Sequence, residues 1–150
     1  MLFRSTESIL DDAVRDGADL LELDVKLEQG HWHVDHNDDG GTSGAFLEDV
    51  LALIDLKSAD APLFIEIKET APTFRDISNL IEMLVDEGYA VNGRPVVLRT
   101  LLSRIDNLRD ARMALNDYPF HAPYFRLHVL CGRNGASSVE NFQNRIQDAY

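Results

Sequence analysis

One stretch, residues 17–38, constrains most strongly what this chain can fold into. It reads GADLLELDVKLEQGHWHVDHND, and residues 19–27 alternate as a β-strand does, which places Glu22 and Asp24 on one face. The side chains that point to the opposite face are Leu21, Leu23 and Val25. Two carboxylates about 6 to 7 Å apart on a strand repel each other unless a cation or water compensates them. The pattern predicts either a site for a hard divalent cation or the solvent-exposed face of a half-buried strand.

A second short strand with a histidine at its end follows directly. Residues 28–30 read Glu-Gln-Gly, a plausible tight turn, and His31–Val34 is the second stretch. It leads into His36, a few residues from the two acids in sequence. Because an imidazole titrates near neutral pH, a histidine this close to two acids favours a functional site over a plain solvent-exposed strand face.

These residues carry a resemblance to a known family. The run GADLLELDV, the short glycine turn and the polar His-Asn-Asp at 36–38 resemble the glycerophosphodiester phosphodiesterase family, in which Glu-x-Asp is followed by a Gly and then His-Asp. The stretch PLFIEIK at 62–68 is similar to the family's next strand, whose Glu-x-Lys supplies a metal ligand and a cationic contact. Three motifs in this order and at these separations make the signal specific.

The resemblance implies a fold: a partial triosephosphate-isomerase-type (β/α) barrel, comprising about strands two to five with a parallel sheet and outer helices. It covers residues 4–100 well and residues 100–130 weakly, so that 1–150 is one partial domain of this type. The family's first strand ends in His-Arg-Gly just before the helix predicted near the start of this chain, and that strand is not present here. Two sheet edges of a partial barrel would be open, which predicts a fragment, a homo-oligomer or an open sheet covered by its own last helix.

The resemblance also implies roles for five residues. Glu22, Asp24 and Glu66 would hold Ca²⁺ or Mg²⁺, His36 would act as general acid, and Lys68 would contact a non-bridging phosphate oxygen. The expected reaction is the hydrolysis of a small phosphodiester of lipid metabolism to a phosphomonoester and an alcohol. Because losing one of two proton-transfer groups costs about 10²- to 10⁴-fold in rate, the missing first histidine predicts impaired activity.

The hydrophobic periodicity predicts an α/β fold of about four strands and five helices in alternation, with a parallel sheet and the helices outside it. The strands are predicted at 19–27, 63–68, 96–99 and 126–130, and the helices at 5–15, 46–56, 73–87, 103–115 and 139–150. A length of 150 residues suits one domain but is short for a complete eight-unit barrel of about 250 residues.

Charge and composition limit the partners. The net charge of −12 argues against nucleic acid and anionic membranes. A phosphodiester would need local positive charge from a metal and from cations such as Lys68, Arg99 or Arg104. No apolar run approaches the ~20 residues of a membrane span and no basic-then-apolar leader is present, which predicts a cytoplasmic protein without an integral membrane segment. Cys131 is the only cysteine, so it cannot form an intrachain disulfide.

Other interpretations remain open at this point. His31 and His33 form a His-x-His pair that is also found in zinc hydrolases, although no third nitrogen or sulfur ligand is near in sequence. We interpret them as sheet-face residues, and we assign His121 and His128 to no site. Two further functions compete with the phosphodiesterase: an inactive remnant that still binds metal and phosphoester, and a structural or interaction module with a solvated acidic face.

Overall fold

The computed structural model describes most of the chain from residue 11 onward. The described residues are 11–13, 15–35, 44–56, 61–68 and 71–130. His36, Cys131 and the helix predicted at 139–150 lie outside them. Of the helix predicted at 5–15, the residues that are described, 11–13 and 15, are helical.

Besides the helical residues 11–13 and 15, the described part of the chain contains six strands and three α-helices. The strands are β1 (Leu21–Glu28), β2 (His31–Val34), β3 (Ala45–Phe46), β4 (Leu63–Ile67), β5 (Val96–Leu101) and β6 (Phe125–Leu130). The helices are α1 (Leu47–Leu56), α2 (Phe74–Asp86) and α3 (Asp106–Ala114), with 3₁₀ turns at 102–104, 115–117 and 122–124. The predicted elements in this region are all present, with ends shifted by a few residues, and β3 was not predicted.

The strands form one mixed sheet in the order β3-β2-β1-β4-β5-β6. The strands β1, β4, β5 and β6 are parallel, as predicted. The prediction of a wholly parallel sheet is wrong for β2 and β3, which pair antiparallel. For β2 the reason is the two-residue connection to β1 at Gln29 and Gly30, whose φ angles of 50° and 83° form a tight hairpin, whereas a parallel pair needs a long crossover.

The core lies on one face of this sheet. In β1 the side chains of Leu21, Leu23 and Val25 are buried, and in β4 those of Leu63, Ile65 and Ile67 are fully buried. They join the buried side chains of all three helices in one apolar cluster. The helix residues of that cluster are Leu47, Val50, Leu51, Ile54, Ile77, Leu80, Ile81, Leu84, Leu108, Ala111 and Ala114. The side chains at the alternate strand positions therefore point to the opposite face of the sheet, which we call the polar face.

Helix α2 shows how local sequence signals set the ends of these elements. Thr73 is its N-cap: the Asp76 amide donates to Thr73 Oγ1 at 3.3 Å, and the Thr73 amide donates to Asp76 Oδ2 at 2.8 Å. Gly88, with φ of 77°, follows the last turn, where the Tyr89 amide donates to the Leu84 carbonyl oxygen at 2.9 Å. Among the described residues, no helix is long and apolar enough to cross a membrane.

Candidate functional site

The polar face of the sheet carries a row of ionisable side chains across four parallel strands. Asp24 in β1 is the register partner of Glu66 in β4, Glu66 of Arg99 in β5, and Arg99 of His128 in β6. Neighbouring strands are about 4.8 Å apart, so side chains in register are close enough to contact each other. Across the middle of this face, two acidic residues on β1 and β4 are therefore followed by an arginine on β5 and a histidine on β6.

Three carboxylates meet at the acidic end of the row. One oxygen from each of Glu22, Asp24 and Glu66 lies within 4.8 Å of the other two. We call these residues the carboxylate triad. Glu66 is buried, with 8% of its surface exposed, whereas about half of the Glu22 side chain (49%) is exposed. The structure thus brings together the three residues that the sequence motifs single out as metal ligands.

Two cations lie directly against the carboxylate triad. Lys68 Nζ is 3.3 Å from Asp24 Oδ2 and 3.4 Å from Glu66 Oε1. Arg99 Nη2 donates to Glu66 Oε2 at 2.6 Å and also to Glu22 Oε1. Glu66 is shared between the two cations. With two positive groups against three carboxylates, the cluster retains one net negative charge.

The surroundings keep both cations protonated. Burial lowers the pKa of Lys68, but the charges of Asp24 and Glu66 and their hydrogen bonds outweigh burial and raise that pKa above its ordinary value. Burial likewise lowers the pKa of Arg99, and the hydrogen bonds to Glu66 and Glu22 raise it overall. Both side chains are therefore positively charged at neutral pH.

The backbone at Lys68 is held by residues of β5, of the turn after it and of β1. Thr100 is fully buried, and its hydroxyl donates to the Ile67 carbonyl oxygen at 3.1 Å. Arg104 Nη1 donates to the carbonyl oxygen of Lys68, and the Lys68 amide donates to Val25 O at 2.9 Å. These contacts hold the end of β4 at the edge where the triad lies.

Sequence reasoning did not foresee the pairing of Arg99 with the triad, although it named Arg99 as a nearby cation. The signal was available in the alternation of β5, which places Val97, Arg99 and Leu101 on one face. Which acid Arg99 meets depends on the register between β4 and β5, and residues 33 positions apart in sequence set that contact.

The other candidate histidines lie in three places. His31 and His33 are on the polar face of β2 beside Phe46, with ring centroids 5.6 and 4.6 Å from the Phe46 centroid. The ring of His128 is 6.3 Å from that of Phe64. His121 Nδ1 lies 3.2 Å from the Ala90 carbonyl oxygen. His36, the predicted general acid, lies outside the described residues, so its position relative to the triad stays a prediction.

The sequence was also compared with known proteins. No family model matches it, and no curated protein matches it at a significant level. The resemblance to glycerophosphodiester phosphodiesterases therefore rests on the three sequence motifs described above.

Proposed function

We propose that this chain is a glycerophosphodiester phosphodiesterase-like domain that hydrolyses glycerophosphodiesters or related phosphodiesters with the help of a divalent cation. The observation that carries this proposal is the carboxylate triad, whose oxygens converge within 4.8 Å from two neighbouring parallel strands. The four parallel strands with helices packed on one face and ionisable groups on the other are consistent with part of a (β/α) barrel.

The donor atoms of the triad suit Ca²⁺ or Mg²⁺. All three are carboxylate oxygens, which hard cations prefer, and in the part of the chain that the structure describes no other group of three histidine, cysteine or acidic ligands comes this close together. When bound, such a cation would supply positive charge to an anionic phosphodiester and act as a Lewis acid.

The side chains around the triad have distinct roles in this proposal. Lys68 Nζ, held by Asp24 and Glu66, would donate to a non-bridging phosphate oxygen. Water would attack phosphorus as the bond to the alcohol oxygen breaks, and His36 would give its proton to that departing oxygen.

The ion pairs favour a second candidate function. Lys68 and Arg99 already compensate most of the charge of the triad, so the cluster is also stable as a structural ion-pair network without any metal. In that case the chain would be a structural or interaction module with an acidic face. The two functions make opposite predictions for the effect of divalent cations on stability.

The deciding experiment is thermal unfolding with and without millimolar Ca²⁺ or Mg²⁺, on the wild type, Glu22→Ala and a control, Glu48→Ala. Glu48 is an exposed acid at the start of α1. A ligand at 100 times its dissociation constant stabilises by about 2.7 kcal/mol, which raises the melting temperature of a domain of this size by several degrees.

We expect that shift in the wild type and in Glu48→Ala and its loss in Glu22→Ala. Hydrolysis of a glycerophosphodiester, measured as the amount of alcohol released, should then show the same dependence on Glu22. If neither cation shifts the wild-type melting temperature, the metal-dependent function is wrong and the structural module is favoured.

A further inference from the structure

A second group of ligand-type side chains lies towards the outer edge of the same polar face, around the β1–β2 hairpin. A cleft of about 380 Å³ opens there between the hairpin and β3. It is lined by Glu28, Gln29, His31, His33, Gly44 and Phe46. We call it the histidine cleft. None of these residues belongs to the carboxylate triad or has a role in the proposed hydrolysis.

The imidazole of His33 is oriented by a backbone carbonyl. His33 Nδ1 lies 3.1 Å from the Gly44 carbonyl oxygen. Since a carbonyl oxygen can only accept, Nδ1 must carry the proton, and in the neutral ring the lone pair is on Nε2. Metal-binding histidines are typically held in this way, with one ring nitrogen donating to a carbonyl and the other left to bind the ion.

Gly44 is placed for this contact by close packing against β2. A Cβ atom at position 44 would lie 2.6 Å from the Val34 carbonyl oxygen and 3.1 Å from the Asp35 Cβ. Only glycine therefore allows the backbone to come this close to the strand. The Gly44 carbonyl oxygen that orients His33 is thus positioned by the close packing of Gly44 against residues 34 and 35.

Two more donors are within reach of His33. His31 is two residues earlier on the same strand face, and it is exposed, so its ring can turn. Glu28 is the register partner of His31 across the hairpin, and directly opposed residues have Cβ atoms about 4.5 to 5.5 Å apart. Phe46 contacts both imidazoles and forms an apolar wall on one side of the cleft.

We propose that His31, His33 and Glu28 form a binding site for a borderline divalent transition-metal ion such as Zn²⁺, separate from the carboxylate triad. Two imidazole nitrogens and one carboxylate oxygen are a donor set that Zn²⁺ accepts, whereas the triad offers oxygen alone and suits harder ions. The three donors are not gathered within 4.8 Å of one another in the structure, so His31 and Glu28 turn towards His33 Nε2 when the ion binds.

Calorimetric titration of the full chain with Zn²⁺ tests this site. We compare the wild type with His33→Gln and His31→Gln, and use His128→Gln as the matched control, because His128 is an exposed histidine on the same sheet face but on β6. Glu22→Ala reports whether the triad is involved. Melting curves without metal establish that each variant is folded.

We expect Zn²⁺ to bind the wild type, His128→Gln and Glu22→Ala alike, and its affinity to fall at least tenfold in His33→Gln and in His31→Gln. Imidazole nitrogen NMR should show Nε2 of His33 shifted by Zn²⁺ while Nδ1 keeps its proton. Unchanged affinity in either of the two histidine variants, an equal loss in His128→Gln, or binding through Nδ1 of His33 would overturn the proposal.

Discussion

The two faces of strand β4 are stabilised by different interactions, apolar burial on one face and ion pairs on the other, although their residues alternate along a single stretch of chain. On one face, Leu63, Ile65 and Ile67 are fully buried against the helices. On the other, Glu66 and Lys68 are part of an ion-pair network at the edge of solvent. The apolar face tolerates any well-packed hydrophobic residue, whereas the polar face depends on the sign and position of each charge. Neighbouring positions along this stretch therefore serve different purposes: one residue packs in the core, and the next belongs to the candidate site.

The largest expected effect is on the apolar face. Ile65→Ala removes buried methyl groups and leaves a cavity, which should lower the free energy of unfolding by about 2 to 5 kcal/mol. Urea unfolding measures this loss. Leu20→Ala is the control, because 43% of Leu20 is exposed and its truncation should change stability by less than about 0.5 kcal/mol. A loss of under about 1 kcal/mol for Ile65→Ala would mean that the apolar face is not the core.

A smaller loss is expected for Glu66→Ala on the polar face. This change leaves Lys68 and Arg99 without the carboxylate they share, and hydrogen bonds to charged groups contribute about 1.5 to 3 kcal/mol. Urea unfolding without divalent cations should show a loss in that range. Glu66→Gln keeps the shape but removes the charge, so an equal loss in both variants would show that charge, rather than packing, is the stabilising factor.

Arg99→Gln is the sharpest test of whether the polar face is a metal site or only an ion-pair network. Arg99 donates hydrogen bonds to one oxygen each of Glu22 and Glu66, and a divalent ion would compete for these same oxygens. Removing its charge should therefore strengthen Ca²⁺ binding by about tenfold, or 1.4 kcal/mol. Calcium titration measures this change. The control is Arg126→Gln. Arg126 is an arginine of the same sheet that donates to the backbone carbonyl oxygens of Pro123 and Phe125 rather than to a carboxylate of the triad. Weaker binding in Arg99→Gln would show that Arg99 helps to position the ligands.

The same contrast between the faces explains how much could be predicted from sequence. The buried apolar side chains of β1 and β4 recur with a local period of two, so the apolar face and the shared face of Glu22, Asp24 and Glu66 were both predictable. The antiparallel β2 and the two-residue β3 could not be recognised as part of the same sheet from that period. Helix α3 was predicted from residue 103 but begins at Asp106, because residues 102–104 form a 3₁₀ turn instead. The role of Arg99 required the register between strands, which no local pattern encodes.

The smallest expected effect concerns the pH dependence of the polar face. The charges of Asp24 and Glu66 raise the pKa of Lys68 in the folded protein, despite its burial. A raised pKa means that the folded state favours the protonated amine. The stabilisation is fully present below the ordinary value of 10.5 and is lost as the pH rises through the folded-state pKa. We expect this contribution to be less than about 1 kcal/mol, because the pair is partly exposed to solvent.

Urea unfolding of the wild type and Lys68→Met at pH 8 and above pH 11 measures this contribution. Other lysines and tyrosines titrate in both proteins, so only the difference between the two losses reports on Lys68. The wild type should lose more stability than Lys68→Met over this interval, since only the wild type gives up a charge that faces Asp24 and Glu66. Equal losses would mean that the ion pairs of Lys68 contribute no net stability, and that the lysine is held in place by the carboxylates without strengthening the fold.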